Sequence, residues 1–211
     1  MTVPNDALAT MPPLPYDVIR TLVRDGDILL CSSHEAASRL IRWATKSDWS
    51  HCAIAFRMDQ IDRVMVLECV ERLGVRAVPL SDFVSRTSAG VTPYPGKILL
   101  ARHAAAARFE PHELVRGMCG FAFDQLGRKF SQAETVKIGL RIALGRLGIA
   151  TPSRIEAGKE FICSEYVARC FASIGVVIGW DGLGFMAPAD IAADPAVAAV
   201  AQVQTRQVQP G

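Results

Sequence analysis

The sequence predicts an α+β domain in which an antiparallel sheet packs against helices. Three observations carry this. Short, β-rich apolar runs follow one another between residues 26 and 103. Helical spacing dominates from residue 110 onward. The order is strands first and helices later, unlike the regular alternation that builds parallel βαβ units.

Residues 1–16 are rich in Pro and small side chains and read as a flexible lead to one domain, 17–211. "DGDILLCSS" sets a D-G turn signal before an apolar run, the pattern of a buried strand. From Glu35 to Lys46, Ala37, Leu40, Ile41 and Ala44 recur at helical spacing, which predicts an amphipathic helix. "SHCAIAFR" and "RVMVLECV" flank the polar "MDQID" and predict an antiparallel hairpin. "GVRAVPL" and "GKILLARH" are further strands, and "SDFVSRT" between them is a Ser-capped helical turn. A helix over 110–127 starts with an early Pro and ends at Gly127. A second spans 132–148, and "FICSEYVARCFASIG" is a third, closed by Gly175. No internal repeat or interdomain linker stands out.

Composition narrows the function. The 211 residues suffice for one domain with a proper core, and half of them are hydrophobic. A net charge of +2 without a polybasic run argues against a nucleic-acid partner. None of the six cysteines forms a C-x-x-C pair, so a zinc ribbon or thioredoxin motif is not expected. The N-terminus lacks the basic and apolar regions of a signal peptide, and no apolar run reaches the roughly 20 residues of a membrane span. A reducing cytoplasm is the expected location.

Glu68 is the first residue that invites chemistry. It interrupts the apolar run "VMVLECV", and a buried carboxylate must be paired, hydrogen-bonded or neutral. The plainer alternative is a strand-end Glu that reaches water. If the hairpin turns near Asp59 and Gln60, residue 57 pairs with 62, 55 with 64, and His51 with Glu68 on one face. A carboxylate there fixes the imidazole tautomer and leaves the other nitrogen as a base. A slip of one residue would separate the two. His34, His103 and His112 face no comparable acid in the pairings drawn, and a His51 that only caps its strand is the competing reading. Cys163 falls at or near the first turn of the third helix, where the helix N-terminus favours thiolate and offers N–H groups to an oxyanion. Cys170 lies deep in the same helix without that advantage. A small buried hydrophobe is the alternative for Cys163.

"GDILL" (26–30), "WATKSDWSHCAIAF" (43–56), "VLECV" (66–70) and "FICSEYVARCF" (161–171), in that order, resemble the permuted papain-like amidase family of YaeF/YiiX type. Its members are circularly permuted relatives of NlpC-type cysteine peptidases. The resemblance spans about residues 24 to 190 and implies a papain-like α+β fold with the Cys helix packed on an antiparallel sheet. It also implies His51 as base, Glu68 as orienting acid and Cys163 as nucleophile of a cysteine hydrolase. No metal or organic cofactor is expected, and the substrate is a small molecule, peptide or acyl compound.

Ser50, Ser164 and Phe130 are expected beside the oxyanion or substrate pocket. In "LGRKFSQ", Phe130 stands where relatives often carry a Tyr and Ser131 where they carry an Asp. Loss of an oxyanion donor costs about 10²–10³ in rate. Two other readings remain. "VKIGLRIALGRLGIA" (136–150) interleaves Lys137, Arg141 and Arg146 with apolar residues and suits a peripheral membrane contact of a lipid acyl hydrolase or acyltransferase. The Phe130 departure suits a binding module that keeps the fold without the chemistry.

Overall fold

The computed structural model describes residues 3, 6–71, 73–85, 94–129, 162–179 and 186–205. The expected helix over 132–148, the basic stretch 136–150, Phe130 and Ser131 lie outside them.

The apolar runs become strands β1 (Pro13–Leu14), β2 (Asp27–Ser33), β3 (His51–Met58), β4 (Arg63–Val70), β5 (Gly74–Pro79), β6 (Gly96–His103) and β7 (Val197–Val203). They join one sheet in the order β1-β7-β6-β2-β3-β4-β5. Every neighbouring pair is antiparallel except β1 with β7, so the sheet is mixed and not wholly antiparallel as expected. The helices among the described residues are α1 (Ala7–Thr10), α2 (Tyr16–Leu22), α3 (Ala36–Thr45), α4 (Leu80–Ser85), α5 (Pro111–Leu114), α6 (Gly120–Asp124), α7 (Cys163–Ala172) and α8 (Pro188–Ala193). A π-helical turn, Val115–Cys119, joins α5 to α6.

Both faces of the sheet are covered, which explains why its strands read as continuous apolar runs. On one face Ile28, Leu30, Cys52, Ile54 and Leu67 pack with Tyr166, Val167 and Phe171 of α7. On the other, Leu29, Cys31, Ala53 and Val66 pack with Ile19 of α2 and Leu80 and Phe83 of α4. All seven residues of β2 are buried.

Three expectations change. Where a loose lead was expected, Val3, Ala7 and Leu8 among its described residues enter the core, and β1 pairs in parallel with β7. Pro and small side chains suit a short edge strand as well as a linker. The β3–β4 hairpin turns through a 3₁₀ turn, Asp59–Ile61, with Asp62 left-handed at φ 47°. That longer loop sets Arg57 opposite Val64 and Ile54 opposite Leu67, two residues off the expected register. Helix α3 forms where expected, yet Leu40 and Trp43 are 58% and 57% exposed.

Candidate active site

The two-residue register shift preserves parity, so His51 and Glu68 stay on one face as diagonal neighbours. Nε2 of His51 lies 2.7 Å from Oε2 of Glu68. The carboxylate is 2% exposed and the imidazole 16%. On its other side Glu68 is the cross-strand partner of Arg76. The Arg76 Nε donates to Oε1 of Glu68 at 2.8 Å, and its Nη2 donates to the same oxygen. Both carboxylate oxygens are therefore taken up by charged partners, which is what makes its burial affordable.

β3 keeps β2 as its partner from Ala55 to His51, while its ladder with β4 runs only from Met58 to Ile54. The two strands part at the site end. Helix α7 packs on β3 there and places Cys163 in its first turn. The Cys163 sulfur interacts with the side chain and backbone of Cys52 and with the His51 ring. With Nε2 of His51 on Glu68, Nδ1 is the nitrogen left for sulfur.

The electrostatics follow from these contacts. The Cys52 hydrogen bond holds Cys163 well below the usual thiol range; burial opposes this, and His51 adds to it. Burial resists the charge on His51, but Cys163 and Glu68 outweigh it and push the imidazole up to about 10. Burial also raises Glu68, and the His51 and Arg76 contacts reverse that to a net lowering. Burial pushes Cys52, Cys69 and Cys170 upward and Cys119 up to about 11. Cys163 is thus set apart from these four thiols by its surroundings.

The predicted pocket serines are already occupied. The Ser50 hydroxyl accepts from Ser33 N–H and donates to the Cys31 carbonyl, both at 3.3 Å, stitching β2 to the start of β3. The Ser164 hydroxyl, in a side chain 1% exposed, donates to the Met186 carbonyl at 2.5 Å. The first-turn N–H groups of α7, which have no partner within the helix, lie beside Cys163.

Sequence reasoning missed Arg76 and Cys52. A lone cation in the strand run "GVRAVPL" was the available signal for Arg76. It also missed an acid for His103, whose Nε2 lies 3.9 Å from Asp194. Its Nδ1 accepts from Ala105 N–H at 3.1 Å, and burial holds this ring below the usual range, so it is a packed, neutral histidine.

An α+β fold with a cysteine at a helix start against a sheet-borne histidine and acid defines the class of papain-like cysteine enzymes. The family model of permuted papain-like amidase enzymes, YaeF/YiiX, C92 family, matches residues 22–131, just over half of the chain. The chain belongs to that family. The matched region holds His51, Glu68 and Arg76 and ends before Cys163. Among solved structures, the chain is similar to a crystal structure of the metalloprotein yiiX from Escherichia coli O157:H7. The two are 18% identical with a TM-score of 0.59, over 84% of this chain and 96% of that one, which establishes a shared fold. No curated protein matches the chain. No group of three or more His, Cys, Asp or Glu among the described residues is placed to hold a metal ion. No helix among them is long and apolar enough to cross a membrane.

Proposed function

We propose that the protein is a cysteine amidase that acts through a thioester acyl-enzyme, with Cys163 as nucleophile, His51 as proton carrier and Glu68 orienting the imidazole. One observation carries the reading. A histidine held by a buried carboxylate faces a cysteine whose surroundings favour thiolate, at a helix N-terminus.

In the first half-reaction the thiolate attacks the amide carbonyl, and the oxygen gathers negative charge beside the first-turn N–H groups of α7. His51 gives its Nδ1 proton to the leaving nitrogen as the C–N bond breaks, leaving a thioester. In the second, His51 takes a proton from water, the hydroxide attacks the thioester, and the C–S bond breaks to return the thiolate. Glu68 keeps Nε2–H pointed at itself throughout, so Nδ1 is the nitrogen that exchanges protons. Arg76 neutralises the second carboxylate oxygen. On this reading the fold is a circular permutation of the NlpC-type arrangement.

The test is the variant Cys163→Ala, followed by intact-mass analysis after brief iodoacetamide treatment at neutral pH. The wild-type protein is expected to gain one adduct quickly, at Cys163, and the variant none in that time. Amide hydrolysis by the variant falls about 10⁴-fold or more. An adduct pattern that is the same in both proteins sinks the assignment.

A further inference from the structure

In the segment that leads into β3 the surface opens into a cleft of about 400 Å³ lined by Arg39, Arg42, Trp43, Lys46, Ser47 and Asp48. Three cations meet one carboxylate there. Arg39, Lys46 and Asp48 are exposed, and Trp43 is 57% exposed as a wall of the cleft. Arg42 is half-buried; its Nη1 donates to the Ser32 hydroxyl at 3.1 Å, and its buried Nε–H has no hydrogen-bond partner among the described residues. Helix-end electrostatics favour cations in the last turn of α3, which accounts for Arg42 and Lys46. They do not account for Arg39 one turn earlier or for an exposed indole among the cations.

The position ties the cleft to the site. Ser32 follows Cys31, the cross-strand partner of His51. Asp48 stands three residues before His51, so their Cα atoms are at most about 11 Å apart. The volume lies in the range of small-molecule sites, about 300–1,000 Å³. Guanidinium groups match carboxylate and phosphate oxygens in two-point contact, and an indole wall suits an apolar linker.

We infer that this cleft holds the anionic group, carboxylate or phosphate, of a small substrate whose acyl carbon sits at Cys163 and whose linker lies along Trp43. The inference rests on the amidase reading and adds the substrate class to it. Arg39 and Lys46 supply charge from the rim, and Arg42 supplies the fixed donor. The anion and the scissile carbonyl are separated by a chain of several bonds.

The experiment compares labelling of Cys163 by N-bromoacetyl-6-aminohexanoate and by its uncharged methyl ester. In each case sulfur displaces bromide, forming one S–C bond. The acid is expected to label about tenfold faster than the ester at low salt, with the advantage shrinking as salt rises. In Arg39→Ala/Lys46→Ala the ratio falls to about one. The corresponding phosphonate, run in parallel, tells phosphate from carboxylate by the larger ratio. A ratio near one in the wild-type protein, or one that survives in the double variant, overturns the cleft. Failure of Cys163 to react with any of these probes counts against the nucleophile instead. Calorimetry with phenylphosphonate then decides the cleft alone: saturable binding lost in the double variant supports it, and no binding overturns it. Pelleting with phosphatidylglycerol vesicles that depends on Arg39 and Lys46, alongside a ratio near one, overturns it in favour of a membrane contact.

Discussion

Cys52 shows how one side chain sets the behaviour of another. It follows the histidine directly, is fully buried, and lowers the Cys163 thiol through both its side chain and its backbone. Hydrogen bonding to the charged form favours thiolate. Cys52→Val removes the side-chain contribution and keeps the backbone one, at a packing cost under about 1.5 kcal/mol. The pH midpoint for alkylation of Cys163 is expected to rise in that variant, measured by labelling rate against pH; an unmoved midpoint shows that His51 and the helix suffice. Glu68 acts from the opposite end. It favours protonated His51, so Glu68→Gln lowers the imidazole from about 10 and shortens the alkaline side of the activity profile. Turnover is expected to fall by about 10²–10⁴, the range for lost imidazole orientation. A loss confined to KM, with the profile unmoved, excludes the orienting role.

At the scale of elements, the β4–β5 hairpin holds the acid in place. Gly74 turns it at φ +74°, and an added Cβ would stand 2.0 Å from the Arg128 carbonyl oxygen. That carbonyl accepts from Val75 N–H at 2.8 Å, one residue before Arg76. Gly74→Ala therefore strains the backbone and pushes on the strand that carries Arg76. It is expected to cost about 1–3 kcal/mol in denaturant unfolding and to lower activity in the folded fraction. Unchanged activity per folded molecule disconnects the hairpin from the site. The elements also show what was legible in the sequence. Most internal strands and α3 were readable because buried runs and helical spacing are local signals. The register was not, because it depends on Asp62 turning left-handed, and an Asp signals a turn without fixing its length. β7 went unread because "VAAVAQV" is rich in Ala, which carries little strand preference. His51 and Glu68 met despite the wrong register, since an even shift keeps both on one face. The exposure of Arg42 and Trp43 was not legible, because the exposure of a helix face is decided by what packs on it.

For the molecule as a whole, the site hangs on the centre of the sheet, and one buried ion pair ties that centre to the helix before it. Asp27 opens β2 at 1% exposure, and Arg102 on β6 grips both its oxygens at 2.7 Å. The same guanidinium donates to the Leu22 carbonyl at the end of α2 at 2.8 Å. Burial raises Asp27 above the usual carboxylate range despite the opposing contacts from Arg102 and from Arg24 N–H. A carboxylate whose folded pKa lies above its unfolded one destabilises the fold when ionised. Its deficit is absent at low pH and grows as pH rises from the unfolded value through the folded one. Arg102→Met removes the cation and leaves the acid buried, so it raises Asp27 further. The expected cost is about 3–5 kcal/mol at neutral pH, the range for one partner of a buried pair, and it shrinks as acid protonates Asp27. Urea unfolding of wild type and variant at neutral and mildly acidic pH measures this directly. A cost that is equal at both assigns the loss to packing of the Arg102 stem instead of to the stranded charge. The companion variant Asp27→Asn/Arg102→Met removes both charges, and it is expected to recover part of the neutral-pH loss because no buried ion is left unpaired.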